Sequence, residues 1–268
     1  MPHLQFYTDN SCMAFGKPRG LARGLLVGYD SRDITQEGMG IGSVALKTGQ
    51  FTYFSSASTT ESISAGKILK TFLIDSRLIL CCGTHPSLLL TWVSEKIVDF
   101  YMKYPALQRK TLNLSAPIRR LLHVSFRRES VPALAKAAFT YEINELAVNV
   151  VCHLSLHSKR ARKVYVLNEL GADHFTKSLR DNVLALPPSG WEAMPLSSPA
   201  PALYDEKHGI RFFIRDYAWD QKIPLKIYWG REKTPFLCWA GFEFELKAAQ
   251  AGESILRYAV EFEEKRQP

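Results

Sequence analysis

The chain has 268 residues, 46% of them apolar and 22% charged, and 34 Lys and Arg against 26 Asp and Glu give a formal net charge of +8. That length can bury a sizeable core, and the composition excludes collagen-like, disulfide-scaffold and low-complexity classes. No single motif of high specificity decides the function.

The opening residues lack a basic stretch leading into an apolar one, and no window reaches the ~20 apolar residues of a spanning helix. Cys12, Cys81, Cys82, Cys152 and Cys238 are an odd set without C-x-x-C spacing. They read as structural thiols of a cytoplasmic, reducing compartment, and neither a disulfide framework nor a zinc site is expected.

Residues 4–8 and 21–29 read as strands, and residues 41–47 and 51–55 as a hairpin turned through Thr48-Gly49. The run from Gly38 to Lys47 holds G-x-G and V-A-x-K, yet no H-R-D, D-F-G or G-K-[ST] accompanies it and no helix follows. It reads as a flexible turn entering a strand. Ser64-Ala65-Gly66-Lys67 matches S-x-x-K without S-D-N or K-T-G and is discounted.

Residues 69–80 form one bent strand or two short ones. From 87 to 103 a 3.6-residue period puts Glu95, Lys96, Asp99 and Lys103 on one helical face and Leu89, Trp92, Val93, Ile97 and Phe100 on the other. A second, shorter helix is predicted over 117–128. Between Lys103 and Arg128 there are seven basic residues and no acid, and Lys159, Arg160, Arg162 and Lys163 make a second basic run. This field, with Arg119, Arg120, Arg127 and Arg128 at its end, suits an anionic membrane surface or an acidic partner. Nucleic acid is disfavoured, because no recognised binding pattern is present and no aromatics interleave with the arginines.

Strands are predicted over 139–143, 147–157 and 163–168, then a helix over 172–186 with Phe175, Leu179, Val183 and Leu186 buried. Residues 187–201 are a Pro-rich loop. Four strands, 209–219, 223–229, 236–247 and 255–263, close the chain. The pattern predicts an α+β fold of largely antiparallel sheets, as a sandwich or half-barrels, with a helical insertion near 85–128. Residues 1–186 form a mixed β domain carrying that insertion, and 202–268 an antiparallel β-meander packed into the same fold.

If those last strands are neighbours, alternation puts Arg211, Arg215, Tyr217, Trp239 and Glu243 on one shared face. Such a face is either solvated or a ligand floor, on which aromatic planes stack a ring, arginines hold an anion and Glu243 serves as acid or base. Glu243 and Glu245 would lie roughly 6.8 Å apart along the strand. His153 is the second candidate acid–base residue. His153 and His157, roughly 13.6 Å apart on a strand, are too distant to share a metal. The leading expectation is an enzyme acting by acid–base chemistry, without cofactor or bound metal, on a small organic molecule with an anionic or ring group. The alternatives are a binding module for a lipid, glycan or acidic protein, and a nucleic-acid-associated factor.

Overall fold

Alternating apolar and polar residues dominate the chain, and the computed structural model realises them as strands. It describes residues 4–8, 12–14, 17–48, 51–82, 87–103, 124–157, 163–180, 183–195, 200–221, 225–233, 238–247 and 252–264. In chain order these give β1 (Leu4–Tyr7), β2 (Cys12–Ala14), β3 (Lys17–Ala22), β4 (Leu26–Tyr29), β5 (Arg32–Asp33), β6 (Gly40–Thr48), β7 (Phe51–Ser64) and β8 (Lys67–Cys82). Helix α1 (Leu88–Lys103) is followed by β9 (Val124–Asn144), β10 (Ala147–Leu156), β11 (Lys163–Leu170), β12 (Lys177–Arg180), β13 (Val183–Ala185) and β14 (Gly190–Ala193). The last strands are β15 (Ala202–Asp205), β16 (Ile210–Trp219), β17 (Lys226–Lys233), β18 (Cys238–Leu246) and β19 (Gly252–Glu264).

Fourteen strands join one antiparallel sheet in the order β13-β12-β15-β16-β19-β10-β9-β8-β7-β6-β11-β18-β17-β14. Its two halves fold over and meet through their apolar faces. Phe212 of β16 packs edge-on against Phe242 of β18 at 5.2 Å between ring centroids, and Phe244 of β18 lies 4.8 Å from Tyr258 of β19. Within the core, Asn168 Oδ1 on β11 accepts hydrogen bonds from the Tyr258 hydroxyl (2.9 Å) and the Gly42 amide (3.1 Å). The Tyr141 hydroxyl donates to the Ile41 and Gly42 carbonyls at 3.0 and 3.1 Å. Tyr141 and Tyr258 are fully enclosed, and desolvation holds both phenols well above their ordinary titration range. Gly42 is at φ 71°, and a Cβ there would stand 2.7 Å from the Tyr141 hydroxyl oxygen, so this position takes only glycine. Tyr258→Phe removes one donor while Asn168 keeps the other, and is expected to cost about 1 kcal/mol in urea unfolding. An unchanged midpoint would show that the buried bond contributes nothing.

The predicted α+β class is overturned. Among the described residues α1 is the one helix, and the remaining regular structure is strand. Chain 124–128, predicted helical, is the start of β9, drawn into the sheet by pairing with β8 from Val124↔Cys82 onward; residues 117–123 lie outside the described residues. The helix predicted over 172–186 is replaced by a turn and the β12–β13 hairpin. Phe175 reaches the core against Phe212, while Val183 and Leu186 are exposed. The helical spacing of those apolar residues was coincidental, and pairing of β12 with β15 outweighs it. Residues 190–193, expected in a loop, form edge strand β14 on β17.

Helix α1 packs on β8, but turned from the expected face: Ser94 is buried, its hydroxyl donating to the Leu90 carbonyl at 2.8 Å, and Leu89, Trp92 and Phe100 are exposed. The hairpin of β6 and β7 forms as predicted, with Thr48 opposite Phe51. Ala65 and Gly66 are the turn between β7 and β8, with Gly66 at φ 72°, which accounts for the S-x-x-K match by turn chemistry. Among the described residues no helix is long and apolar enough to cross a membrane. Cys152 and Cys238 are free thiols, and burial pushes the Cys152 thiol far up.

Candidate functional site

The predicted face of aromatics and charges is divided by the strand order. β16 pairs with β15 and β19, and β18 with β11 and β17, so the last strands are not a meander. Since Phe212 and Phe242 meet across the core, their sequence neighbours Arg211 and Glu243 point away from it on opposite sides of the sandwich. Arg211 Nη1 lies 3.4 Å from Glu263, and Arg215 reaches Glu261 at 3.4 Å and Glu263 at 3.5 Å, with its guanidinium 4.6 Å from the Phe213 ring centroid. This is a cross-strand ion-pair network between β16 and β19.

Tyr217 leaves that face. The register of β16 against β19 shifts between Arg215 and Ala218, Asp216 takes φ 49°, and the Tyr217 ring turns toward Phe244 at 6.2 Å. The bulge adds one residue and so reverses the alternation beyond it. Trp239 is buried and stacks on Trp191 at 4.0 Å with planes 16° apart. Glu243 is buried opposite Leu167 and Tyr228. His153 is exposed on β10 between Ala138 and Ile255, with no acid across the ladder. Arg128 is exposed, the Arg127 side chain is not described, and Arg119 and Arg120 lie outside the described residues.

A different cluster does converge. Asp205 ends β15, and its buried carboxylate caps the turn into β16: Oδ1 accepts from the Lys207 amide (3.0 Å) and the His208 amide (3.2 Å). Gly209, at φ 70°, closes the turn by donating to the Asp205 carbonyl at 2.9 Å. Oδ2 faces two imidazoles, His208 Nδ1 at 2.6 Å and His174 Nδ1 at 3.4 Å. Burial raises the Asp205 carboxyl, but the bonds from His174 and His208 outweigh it, and the group is held below the usual carboxylate value.

His174 comes from the turn between β11 and β12, where its amide donates to the Gly171 carbonyl at 3.1 Å. Phe175, packed on Phe212, anchors the turn in the core. Two side chains of β17 hold it from outside: Arg231 Nε donates to the Ala172 carbonyl at 2.9 Å, and Lys233 pairs with Asp173. The His174 and His208 rings are 5.7 Å apart, and Tyr29 of β4 lies 5.3 Å from His208. Burial and then Glu264 push the Tyr29 phenol up. The donor atoms of His174, Asp205 and His208 all lie within 4.8 Å of one another. Two imidazoles and one carboxylate are a donor set that zinc and iron(II) accept, with positions left for water or substrate.

Beside this turn, Glu169 of β11 is buried, and its Oε2 accepts from the Met39 amide at 3.3 Å. Desolvation pushes its carboxyl up to about 7, against the weaker opposing effect of the Met39 bond, and the nearby Glu232 charge adds to the rise.

None of His174, Asp205 and His208 was singled out from sequence. The legible signal was Asp205-Glu206-Lys207-His208-Gly209, an Asx-turn pattern between two strands that brings a carboxylate and an imidazole together.

No known protein family matches the sequence, and no curated protein matches it. Solved structures align with the chain at TM-scores below 0.5. A heparan sulfate lyase HepC mutant from Pedobacter heparinus aligns over 98% of this chain and 34% of its own, at 8% identity and a TM-score of 0.47. A heparinase III aligns over 98% and 33%, at 7% identity and 0.43. A putative aldose 1-epimerase from Escherichia coli K12 aligns over 98% and 100%, at 8% identity and 0.37. The chain spans about a third of the length of the first two. These neighbours are sugar-processing enzymes by name, but at such TM-scores and identities no residue role passes from them to this chain.

Proposed function

We propose that the protein binds a divalent transition metal ion at His174, Asp205 and His208 and uses it on a small organic molecule bearing an anionic or ring-borne oxygen group. One observation carries this reading: two imidazoles and one buried carboxylate, from two separate turns, bring their donor atoms within 4.8 Å of one another. When bound, such an ion polarises an oxygen of the substrate or lowers the pKa of a bound water. The residues themselves fix the geometry. Asp205 is immobilised by two backbone amides, and the β16 turn and the core-anchored β11–β12 turn set the two imidazoles at its free oxygen.

Calorimetric titration of chelator-treated protein with zinc is expected to show one site, lost in Asp205→Asn and in His208→Ala. Zinc at about 100 times its Kd should add about 2.7 kcal/mol of stability to the parent chain. Zinc uptake that is the same in parent and Asp205→Asn contradicts the proposal.

The 2.6 Å separation of His208 Nδ1 and Asp205 Oδ2 favours a second reading. It is a hydrogen-bond distance, shorter than the ~3.3 Å between two ligands of a tetrahedral ion with bonds of about 2.0–2.1 Å. Here Asp205 orients His208 as a metal-free general acid or base, with Nε2 as the proton-transferring atom. Chelator-treated protein that takes up no zinc selects this reading.

A further inference from the structure

The loop between β5 and β6 is built to hold one side-chain amide against His174. Asp33 Oδ1 accepts from the Thr35 amide (2.8 Å) and the Gln36 amide (3.2 Å), and buried Thr35 is locked to β4 through Val27. Gln36 itself takes φ 47°, a left-handed conformation that a residue other than glycine adopts at a cost. Arg23, 2% exposed, stabilises it by donating from Nη2 to the Gln36 carbonyl at 2.7 Å and from Nε to the Gly38 carbonyl at 3.1 Å. On the other side Gly171 makes room, since a Cβ there would lie 2.3 Å from Gln36 Oε1. The outcome is Gln36 Nε2 placed 3.1 Å from His174 Nε2.

Resting on the metal reading above, we infer that Gln36 is the positioning residue of the centre: its amide fixes the ring of His174 and thereby the affinity of the site for a divalent cation. With no cation bound, the Gln36 N–H donates to an unprotonated His174 Nε2. The imidazole proton then sits on Nδ1, facing Asp205 Oδ2. Ligation through Nδ1 requires that proton to be on Nε2, where it needs an acceptor, and ligating imidazoles characteristically find one. An amide carries both a donor and an acceptor, so a half-turn of the Gln36 side chain presents Oε1 and serves the second state as well as the first. An apolar side chain serves neither. The backbone held by Arg23 need not move between them.

The test uses the intact chain with zinc and cobalt(II) as probes. Gln36→Met, close to isosteric, is expected to weaken zinc binding by roughly 10–100-fold and to alter the visible spectrum of the cobalt form. Gln36→Glu, which keeps an acceptor for His174, is expected to restore both, and Gln36→Ala repeats the loss should the methionine variant fold poorly. Long-range proton–nitrogen spectra of the parent should place the His174 proton on Nδ1 without metal and on Nε2 with zinc. Parental zinc affinity and cobalt spectrum in Gln36→Met and Gln36→Ala, with binding still lost in Asp205→Asn, overturn this inference and leave the metal reading intact. Equal zinc binding by the parent and Asp205→Asn overturns the metal reading, and the role of Gln36 with it.

Discussion

Asp205→Ala is expected to lower the unfolding free energy by ~3–5 kcal/mol, the range found when one partner of a buried charged pair is removed. The carboxylate receives two backbone amides on Oδ1 and faces two imidazoles on Oδ2, and all four lose their partner together in the alanine variant. A buried donor left without an acceptor costs about 1–3 kcal/mol by itself. Asp205→Asn keeps an oxygen for the Lys207 and His208 amides and should retain most of the stability while losing the charge that two imidazoles or a cation require. Urea unfolding of both variants checks this. A loss below about 1 kcal/mol in Asp205→Ala would mean that the turn is held by other contacts and that the cluster is an incidental meeting of side chains.

The second large effect concerns pH. Glu169 titrates at about 7 in the folded chain against an ordinary value of 4.5, so the native state binds the proton more tightly than the unfolded one. The stability linked to the protonated carboxyl is therefore complete below the unfolded value and is lost as pH rises to the folded one. The slope is about 1.4 kcal/mol per pH unit, which over this interval amounts to about 3 kcal/mol. Glu169→Gln keeps an acceptor for the Met39 amide but cannot ionise. The stability difference between the variant and its parent should grow in favour of the variant by about 3 kcal/mol from about pH 4 to about pH 8. Paired denaturation curves across that range measure it. A constant difference would show that Glu169 is solvated or paired in solution and titrates as an ordinary carboxylate.

What sequence reveals of this fold follows from what alternation encodes. Period-two patterns located β6, β7, β10, β11, β16, β18 and β19, and in β10, β16, β18 and β19 they picked the core-facing side, as the contact of Phe212 with Phe242 shows, although the other face of β18 is buried as well. Alternation says nothing about which strand lies beside which. Seven strands separate β16 from β18 in the sheet, so Arg211 and Glu243, on like faces of their own strands, point to opposite sides of the sandwich. The pairing of Arg211 and Arg215 with Glu261 and Glu263 is the local, cross-strand part of that reading, and it forms. Tyr217 was lost to a one-residue bulge at Asp216, which no propensity marks. The helix expected over 172–186 concealed His174 altogether, because Phe175 and Leu179 fit a helical stripe as well as they fit a turn and the short strand β12. His174 and Asp205 meet through the sheet order, where β12 lies beside β15, and so their meeting was not legible from spacing.

The central claim is that His174, Asp205 and His208 form one metal centre. X-ray absorption at the zinc edge of the loaded protein tests it most directly. The expected spectrum has two imidazole nitrogens and a carboxylate oxygen at about 2.0–2.2 Å, and replacing both histidines with alanine abolishes the signal. A spectrum without imidazole scattering, or one that survives the double replacement, contradicts it.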